Sequence, residues 1–365
     1  MDIIPILLYN KIYFYICFIF VSLTFVNCNS NRLESKKNKQ NINNIGILLF
    51  IFVMIYMGLR PINGVFGDMA IYNIHFKDLV LGEIPVYTKD PLFELITYCF
   101  SKLGSAQLFF FFCCVLYVVP LYIVSKRLFK EYWFYSFLFL VISFSFWAFG
   151  TNGIRNGVAG SIFLLALTEK SFVRKLLFIF IAIGIHKSML IPTIAFLLTL
   201  VYKNNKTYFY VWLFSIPFSF VLGSVLESFF FNFGLVEQDS ISAYFTEFDE
   251  ESHGVTMKVG FRWDFIIYSA TAVYAAWFFI FKKKFNDAFY NQLICIYLAV
   301  NTLWILIVRA NYSNRFAYLS WFMIGVITIY PLIKVKFYQD QNKIIGKILL
   351  LYFAFTFIMN VILSY

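Results

Sequence analysis

The chain has 365 residues, of which 61% are hydrophobic and 13% are charged, and its formal net charge is +11 at pH 7. A soluble domain cannot bury that much apolar surface, so the composition excludes a water-soluble enzyme and favours a polytopic α-helical membrane protein. Cytoplasmic loops rich in Lys and Arg explain the positive charge of such a protein. We find no nucleic-acid-binding motif and expect no nucleic-acid partner.

Apolar segments recur along the whole chain, and many approach the length of about 20 residues that a helix needs to cross a bilayer. We therefore predict an all-α transmembrane bundle that forms one multi-pass membrane domain over residues 1–365, with about ten spans. The predicted spans are 4–27, 44–59, 105–125, 132–149, 153–168, 207–228, 263–281, 286–307, 316–333 and 347–364.

The apolar segment 176–202 is too long for one untilted span and too short for two. It carries His186, Lys187 and Ser188 near its middle, where charge is costly. If the segment enters the bilayer and returns, the basic loops before and after it all face the cytoplasm, as the positive-inside rule requires. We therefore predict a broken or re-entrant pair, 176–185 and 189–202, with its polar tip outward. One long tilted helix is the alternative.

Two regions between predicted spans are expected to face outward. Region 60–104 contains a polar stretch followed by an amphipathic segment that is too short to span, which predicts an interfacial helix. Region 229–262 is rich in acidic residues, which is typical of a solvated loop. The six cysteines lack metal-ligand spacing, so we expect no metal ion and no cofactor.

The predicted topology separates arginines from lysines. Most lysines face the cytoplasm, whereas a set of arginines falls at outward helix ends, against the positive-inside bias. The planar guanidinium group matches phosphate oxygens in pairs, so these arginines suggest a lipid-linked phosphate or diphosphate. Ordinary contact with lipid headgroups explains any single one equally well. The outward arginines are Arg60, Arg155, Arg262, Arg309 and Arg315.

Five short blocks of the sequence carry recognisable motifs: GLRPINGVFGDMAIY (58–72), DPLFELITYCFSKLGSAQLFFF (90–111), GIRNGVAGSIFLLAL (153–167), IHKSMLIP (185–192) and NRFAYLSWF (314–322). They resemble blocks of the EpsG-type, Wzy-like polysaccharide polymerases, and they occur in the family's order. The first, at 58–72, resembles an Arg…Gly-Asp-x-x-x-Tyr signature that ends at Tyr72. The small-residue block departs from the family at Asn156-Gly157, where many relatives carry Gln and a hydrophobic residue.

This resemblance implies a glycosyltransferase-type polymerase in the bacterial cytoplasmic (inner) membrane, with its active site facing outward. Because no metal-ligand cluster is evident in the sequence, we predict that it is metal-independent. It would transfer a growing glycan from undecaprenyl diphosphate onto the next lipid-linked repeat unit. Expected partners are the undecaprenyl-diphosphate-linked oligosaccharide, membrane lipids and a chain-length regulator protein.

Asp68 and His186 are the candidates for the general base that activates the acceptor hydroxyl. We expect Arg60, Arg155 and Arg315 to converge on the carrier diphosphate. Further candidates for binding substrate are Arg309, Arg262, Lys187 and Tyr72.

Two other functions fit the same composition. One is a ligase or acyltransferase that acts on surface glycans, and the other is a flippase or transporter of the lipid-linked oligosaccharide. Transporters often show internal symmetry with broken helices in both halves. We find one broken segment and no internal repeat, which favours the polymerase.

Overall fold

The computed structural model describes residues 4–30, 36–232, 261–309 and 313–363. All regular elements within these residues are helical, as expected for an all-α membrane protein. Most of the predicted outward loop 229–262, namely residues 233–260, lies outside the described residues. The helices in chain order are α1 (Tyr9–Ser30), α2 (Lys36–Gly58), α3 (Met69–Leu81), α4 (Pro91–Ser101), α5 (Ala106–Phe129), α6 (Trp133–Val141), α7 (Phe146–Thr151), α8 (Ile154–Leu167), α9 (Phe172–Ile185), α10 (Leu190–Val201), α11 (Asn205–Asn232), α12 (Trp263–Trp277), α13 (Ala288–Leu306), α14 (Ser313–Trp321), α15 (Ile324–Lys334) and α16 (Gln341–Phe357).

The chain forms two compact units. The first comprises Met1–Leu190 and Phe322–Tyr365, and the second comprises Ile191–Trp321. The first unit therefore holds α1 to α9 with α15 and α16, and the second holds α11 to α14 with most of α10.

Seven stretches in the described residues are long and apolar enough to cross a membrane. The expected count of about ten is therefore not confirmed. Predicted span 132–149 is divided between α6 and α7, and α8 has only 14 residues. A helix of that length reaches about 21 Å, short of the roughly 30 Å hydrocarbon core. The seven stretches are Ile6–Ser30, Asn38–Gly58, Ala106–Val141, Trp263–Lys282, Ala288–Leu306, Ser313–Lys334 and Gln341–Ile362.

The chain interrupts its helix at the polar residues in the middle of segment 176–202. Helix α9 ends at Ile185, and His186 is extended, with φ −155° and ψ 119°. One 3-10 turn, Lys187–Met189, then leads into α10. The predicted break is thus present, and the re-entrant path through a membrane stays a prediction.

Within the first unit, one group of ion pairs lies at the ends of the helices opposite to the candidate site. Lys39 pairs with Glu131, and both Arg127 and Arg174 pair with Glu169. These residues lie where α2 begins and where α5 and α8 end. The candidate site described below lies at the opposite ends of the same helices.

Close packing of α7 against α8 fixes where α8 begins. A Cβ atom at Gly157 would lie 2.2 Å from the carbonyl oxygen of Phe149, a distance that no side chain tolerates. Only glycine permits this approach. The two helices therefore form a tight corner, and Arg155 projects from the first turn of α8.

Candidate functional site

Asp90 is the centre of a polar cluster in the first unit. It immediately precedes α4 and is only 6% exposed. The Nη1 atom of Arg155 lies 2.6 Å from its Oδ2 atom, and His186 Nδ1 lies 3.0 Å from the same oxygen. The backbone N–H of Lys187 donates to Oδ1 at 3.0 Å. Helix α8 and the turn after α9 thus bring three donor groups to the carboxylate that precedes α4.

This environment keeps Asp90 ionised. Burial by itself raises the pKa of the carboxyl, but the hydrogen bond and charge of His186, the charge of Arg155 and the amide of Lys187 together lower the pKa below its ordinary value. An ionised carboxylate only accepts hydrogen bonds, so Nδ1 of His186 must carry its proton. In the neutral imidazole, the lone pair then lies on Nε2.

The second ring nitrogen of His186 is open. The side chain is 22% exposed, and Nε2 makes no hydrogen bond to the residues that the structure describes. A buried aspartate on one ring nitrogen and an open lone pair on the other is the arrangement of a general base. In such an arrangement an aspartate fixes the tautomer of the histidine and stabilises the imidazolium ion that forms when a base takes a proton.

Arg155 is held on two sides and still reaches solvent. Its Nε donates to the hydroxyl of Tyr72 at 3.2 Å, and its guanidinium carbon lies 5.5 Å from the centre of that ring. With Nη1 on Asp90, the Nη2 group makes no hydrogen bond to any described residue. Because the side chain is 34% exposed, this part of the charge remains available to an anion.

A further hydrogen bond fixes the turn that carries His186. The hydroxyl of Ser188 donates to Oδ1 of Asn156 at 2.9 Å, which ties the turn to α8 one residue after Arg155. The side chain of Lys187 is exposed, and only its backbone N–H joins the Asp90 cluster.

Asp68, the other predicted base, lies at the start of α3, one turn before Tyr72. Its charge acts on Arg155. Its backbone N–H donates to Oδ1 of Asn152 at 2.8 Å. The preceding residue, Gly67, has φ +63°, and a Cβ atom there would lie 2.5 Å from the Asn152 amide. Glycine is therefore needed for both the backbone conformation and the close contact.

Arg60 lies in the same unit but has other partners. It is 1% exposed, and its Nη1 and Nη2 atoms donate to the carbonyl oxygens of Met57 at 2.6 Å and Thr151 at 3.3 Å. Its guanidinium carbon lies 5.7 and 5.8 Å from the rings of Phe66 and Phe110. Burial lowers the pKa of Arg60 to about 10, so the group is still charged at neutral pH.

The other three predicted arginines belong to the second unit. Arg262 pairs with Asp264, with Nη2 2.7 Å from Oδ2. Arg309 donates from Nη2 to the carbonyl oxygen of Phe220 at 2.9 Å. Arg315 lies in the first turn of α14 and is partly exposed. In the described part of the chain, no group of three or more His, Cys, Asp or Glu side chains could hold a metal ion.

Sequence reasoning did not single out Asp90. The block at 90–111 belongs to the family resemblance, but its aspartate is one of two acids near its start and is typical of the residue before Pro91 at a helix N-terminus. Its side chain makes no capping hydrogen bond to α4, which leaves the carboxylate for tertiary partners. The other acid, Glu94, binds His75 Nε2 at 2.9 Å and forms a second histidine–carboxylate pair one turn along α4.

Comparison with known families supplies the identity. The model of the EpsG family matches residues 43–365, which is most of the chain and includes every residue of the Asp90 cluster. The chain belongs to the EpsG family. Neither curated proteins nor solved structures gave a match to this EpsG-family protein. Family membership agrees with the resemblance seen in its motifs and is consistent with a glycosyltransferase-type polymerase of the membrane.

Proposed function

We propose that this EpsG-family protein is a polysaccharide polymerase that joins lipid-linked repeat units at the outer face of a bacterial cytoplasmic membrane. One observation carries the proposal: Asp90 holds the Nδ1–H of His186 while Nε2 stays open, and the same carboxylate anchors the partly exposed Arg155. A general base and a fixed cation are the two parts that glycosyl transfer from a diphosphate requires.

In the proposed step, the terminal hydroxyl of the incoming repeat unit attacks the anomeric carbon of the growing glycan. Nε2 of His186 accepts the hydroxyl proton as the new glycosidic bond forms. The bond between the anomeric carbon and the diphosphate oxygen breaks, and the electron pair leaves with the undecaprenyl diphosphate. The Nη2 group of Arg155 stabilises the developing negative charge, and the exposed ammonium of Lys187 adds to the attraction.

The distribution of charge supports an outward-facing site. The ends of the first unit that carry Lys39, Arg127 and Arg174 correspond to the cytoplasmic side under the positive-inside rule, and the Asp90 cluster lies at the opposite helix ends. The donor and acceptor would then meet at the outer leaflet.

Glycan analysis of a strain that lacks this gene tests the overall reaction. A polymerase predicts single repeat units in place of long chains, with lipid-linked units accumulating on the outer leaflet. Accumulation on the inner leaflet would point to a flippase and would contradict the proposal. Long chains that are made normally but not attached to their final acceptor would point to a ligase instead.

His186→Ala tests the base. Because general-base catalysis contributes about 10²- to 10⁴-fold, the polymerisation rate should fall within that range while protein levels stay normal. His75→Ala is the matched control, since it removes a histidine that also binds a carboxylate of α4. The control should keep most of the wild-type rate. A His186→Ala protein that polymerises normally would refute the assignment.

Thiol labelling tests the orientation. Cys99 is the exposed native cysteine, so the background variant is Cys99→Ser. Lys187→Cys places a thiol beside the site, and Lys170→Cys places one after the opposite end of α8, both at exposed positions. A membrane-impermeant reagent added to intact cells should label the first variant and not the second. The reverse pattern would overturn the outward-facing site.

A further inference from the structure

Arg60 makes a buried contact between the ends of α2 and α7, close to the corner from which Arg155 projects. The guanidinium group of Arg60 lies between the last turn of α2, where it binds the carbonyl of Met57, and the last residue of α7, where it binds the carbonyl of Thr151. Carbonyl groups at helix C-termini carry partial negative charge and lack partners within the helix. They therefore provide both the hydrogen-bond acceptors and the charge that a buried cation needs.

No carboxylate pairs with Arg60 among the described residues, and its electrostatic neighbours are Cys113, Cys114 and Tyr9. Burying an uncompensated charge would be costly, so the two helix ends act as its counter-charge. Of the three side-chain nitrogens of Arg60, only Nε lacks a hydrogen-bond acceptor among the described residues. With 1% of the residue exposed, a carrier diphosphate could reach that atom only after the surrounding helices had moved.

A second contact joins the same two segments just beyond Arg60. The side-chain oxygen of Asn152, the residue after Thr151, accepts the backbone N–H of Asp68. Gly67 packs directly on this amide. The segment 60–68 is thus fastened to the α7–α8 corner at both of its ends, by Arg60 and by Asn152.

These two contacts set the distance between Tyr72 and Arg155. Tyr72 lies one turn into α3, which begins beside Asp68, and Arg155 lies in the first turn of α8, three residues after Asn152. Tyr72 in turn holds Nε of Arg155. We propose that Arg60 and Asn152 together form a positioning device that fixes Arg155 for its contact with Asp90, and that Arg60 does not bind the substrate. This inference rests on the proposed function for its kinetic readout, but not for its structural one.

The structural readout is amide hydrogen exchange of the purified protein in detergent or nanodiscs. Asn152→Ala changes an exposed side chain, so the protein should fold. We expect faster exchange over residues 64–72 in Asn152→Ala and in Arg60→Lys, because each loses one fastening of that segment. Asn63→Ala is the matched control: among the described residues its side chain accepts only the N–H of Val65, within the segment itself, so exchange should rise at Val65 and stay unchanged over residues 66–72. Unchanged exchange over 64–72 in both test variants would overturn the device, whatever the protein catalyses.

The kinetic readout separates positioning from substrate binding. Displacing a catalytic group by about 1 Å costs on the order of 100-fold in rate, so each variant should lose about 10- to 100-fold in kcat. The double variant Arg60→Lys/Asn152→Ala should be no slower than the worse single variant, because both changes release the same segment.

A substrate-binding Arg60 predicts a different pattern. Arg60→Lys alone would weaken inhibition by free undecaprenyl diphosphate, Asn152→Ala would be neutral, and the two effects would add. That result would refute the positioning role. If no polymerase activity is found in the wild-type protein, the proposed function fails, and the exchange measurement still decides the inference.

Discussion

Replacing Asp90 with Asn removes the charge at the centre of the site and changes little else. The carboxylate accepts from Arg155, His186 and the Lys187 amide, whereas an Asn side chain offers one acceptor oxygen and turns an N–H₂ donor toward the remaining donors. Each hydrogen bond to a charged group contributes about 1.5–3 kcal/mol. Water can partly replace the carboxylate at the exposed face of Arg155. We therefore expect the free energy of unfolding to fall by about 2–3 kcal/mol.

The effect of Asp90→Asn on catalysis should exceed its effect on stability. Without the carboxylate, Nδ1 of His186 no longer needs to carry the proton, and the imidazole loses both its orientation and the stabilisation of its charged form. In the serine-protease triad, the corresponding change lowers kcat about 10⁴-fold. A loss of about 10³- to 10⁴-fold corresponds to roughly 4–5.5 kcal/mol of transition-state stabilisation.

The assay is the rate of chain extension by purified protein in liposomes with lipid-linked repeat units, together with thermal unfolding of the same preparations. Glu94→Gln is the matched control, since it neutralises a carboxylate one turn along α4 that binds a histidine outside the Asp90 cluster. The control should extend chains at close to the wild-type rate. If Asp90→Asn keeps more than about a tenth of the wild-type kcat, the aspartate does not orient a catalytic base.

Two further substitutions and one pH series test the packing and the charge of the site. Gly157→Ala puts a methyl group 2.2 Å from a backbone oxygen of α7, and because overpacking costs about 1–3 kcal/mol, it should lower the unfolding temperature sharply. Gly64→Ala is the control: the nearest neighbour of its methyl group would be 3.9 Å away, so the unfolding temperature should not change. Ser188→Ala leaves the buried Asn156 amide without its donor and should cost about 1–2 kcal/mol in the same melts, with a smaller loss of rate than Asp90→Asn. Folding lowers the pKa of Asp90, so its ionised carboxylate contributes to the free energy of unfolding above the unfolded pKa of about 3.9, and this contribution is lost as the pH falls through the folded pKa. Thermal unfolding in acid should therefore depend less on pH for Asp90→Asn than for the wild type.

The sequence alone determined the class of the protein and the position of one break. Hydrophobic length and loop charge are local properties, so they indicated a helical membrane protein and the interruption at His186. Motif order identified the family and nominated Arg155, His186 and Tyr72, which the structure brings together. The number of membrane spans could not be predicted in the same way. Helices α6, α7 and α8 are apolar because they are buried inside the protein, and each of them is too short to cross a membrane by itself.

Helix packing, which the sequence does not reveal, brings Asp90 to Arg155 and His186. Asp90 meets Arg155 across 65 positions of sequence and His186 across 96, and nothing local distinguishes it from other acids that precede a helix. Arg60 shows the converse: its place at a helix end suggested contact with headgroups or substrate, yet packing of α2 against α7 buries it against two carbonyl groups. The sequence shows how far apolar residues extend along each helix. It does not show which group binds a buried charge, because that depends on which helix ends pack together.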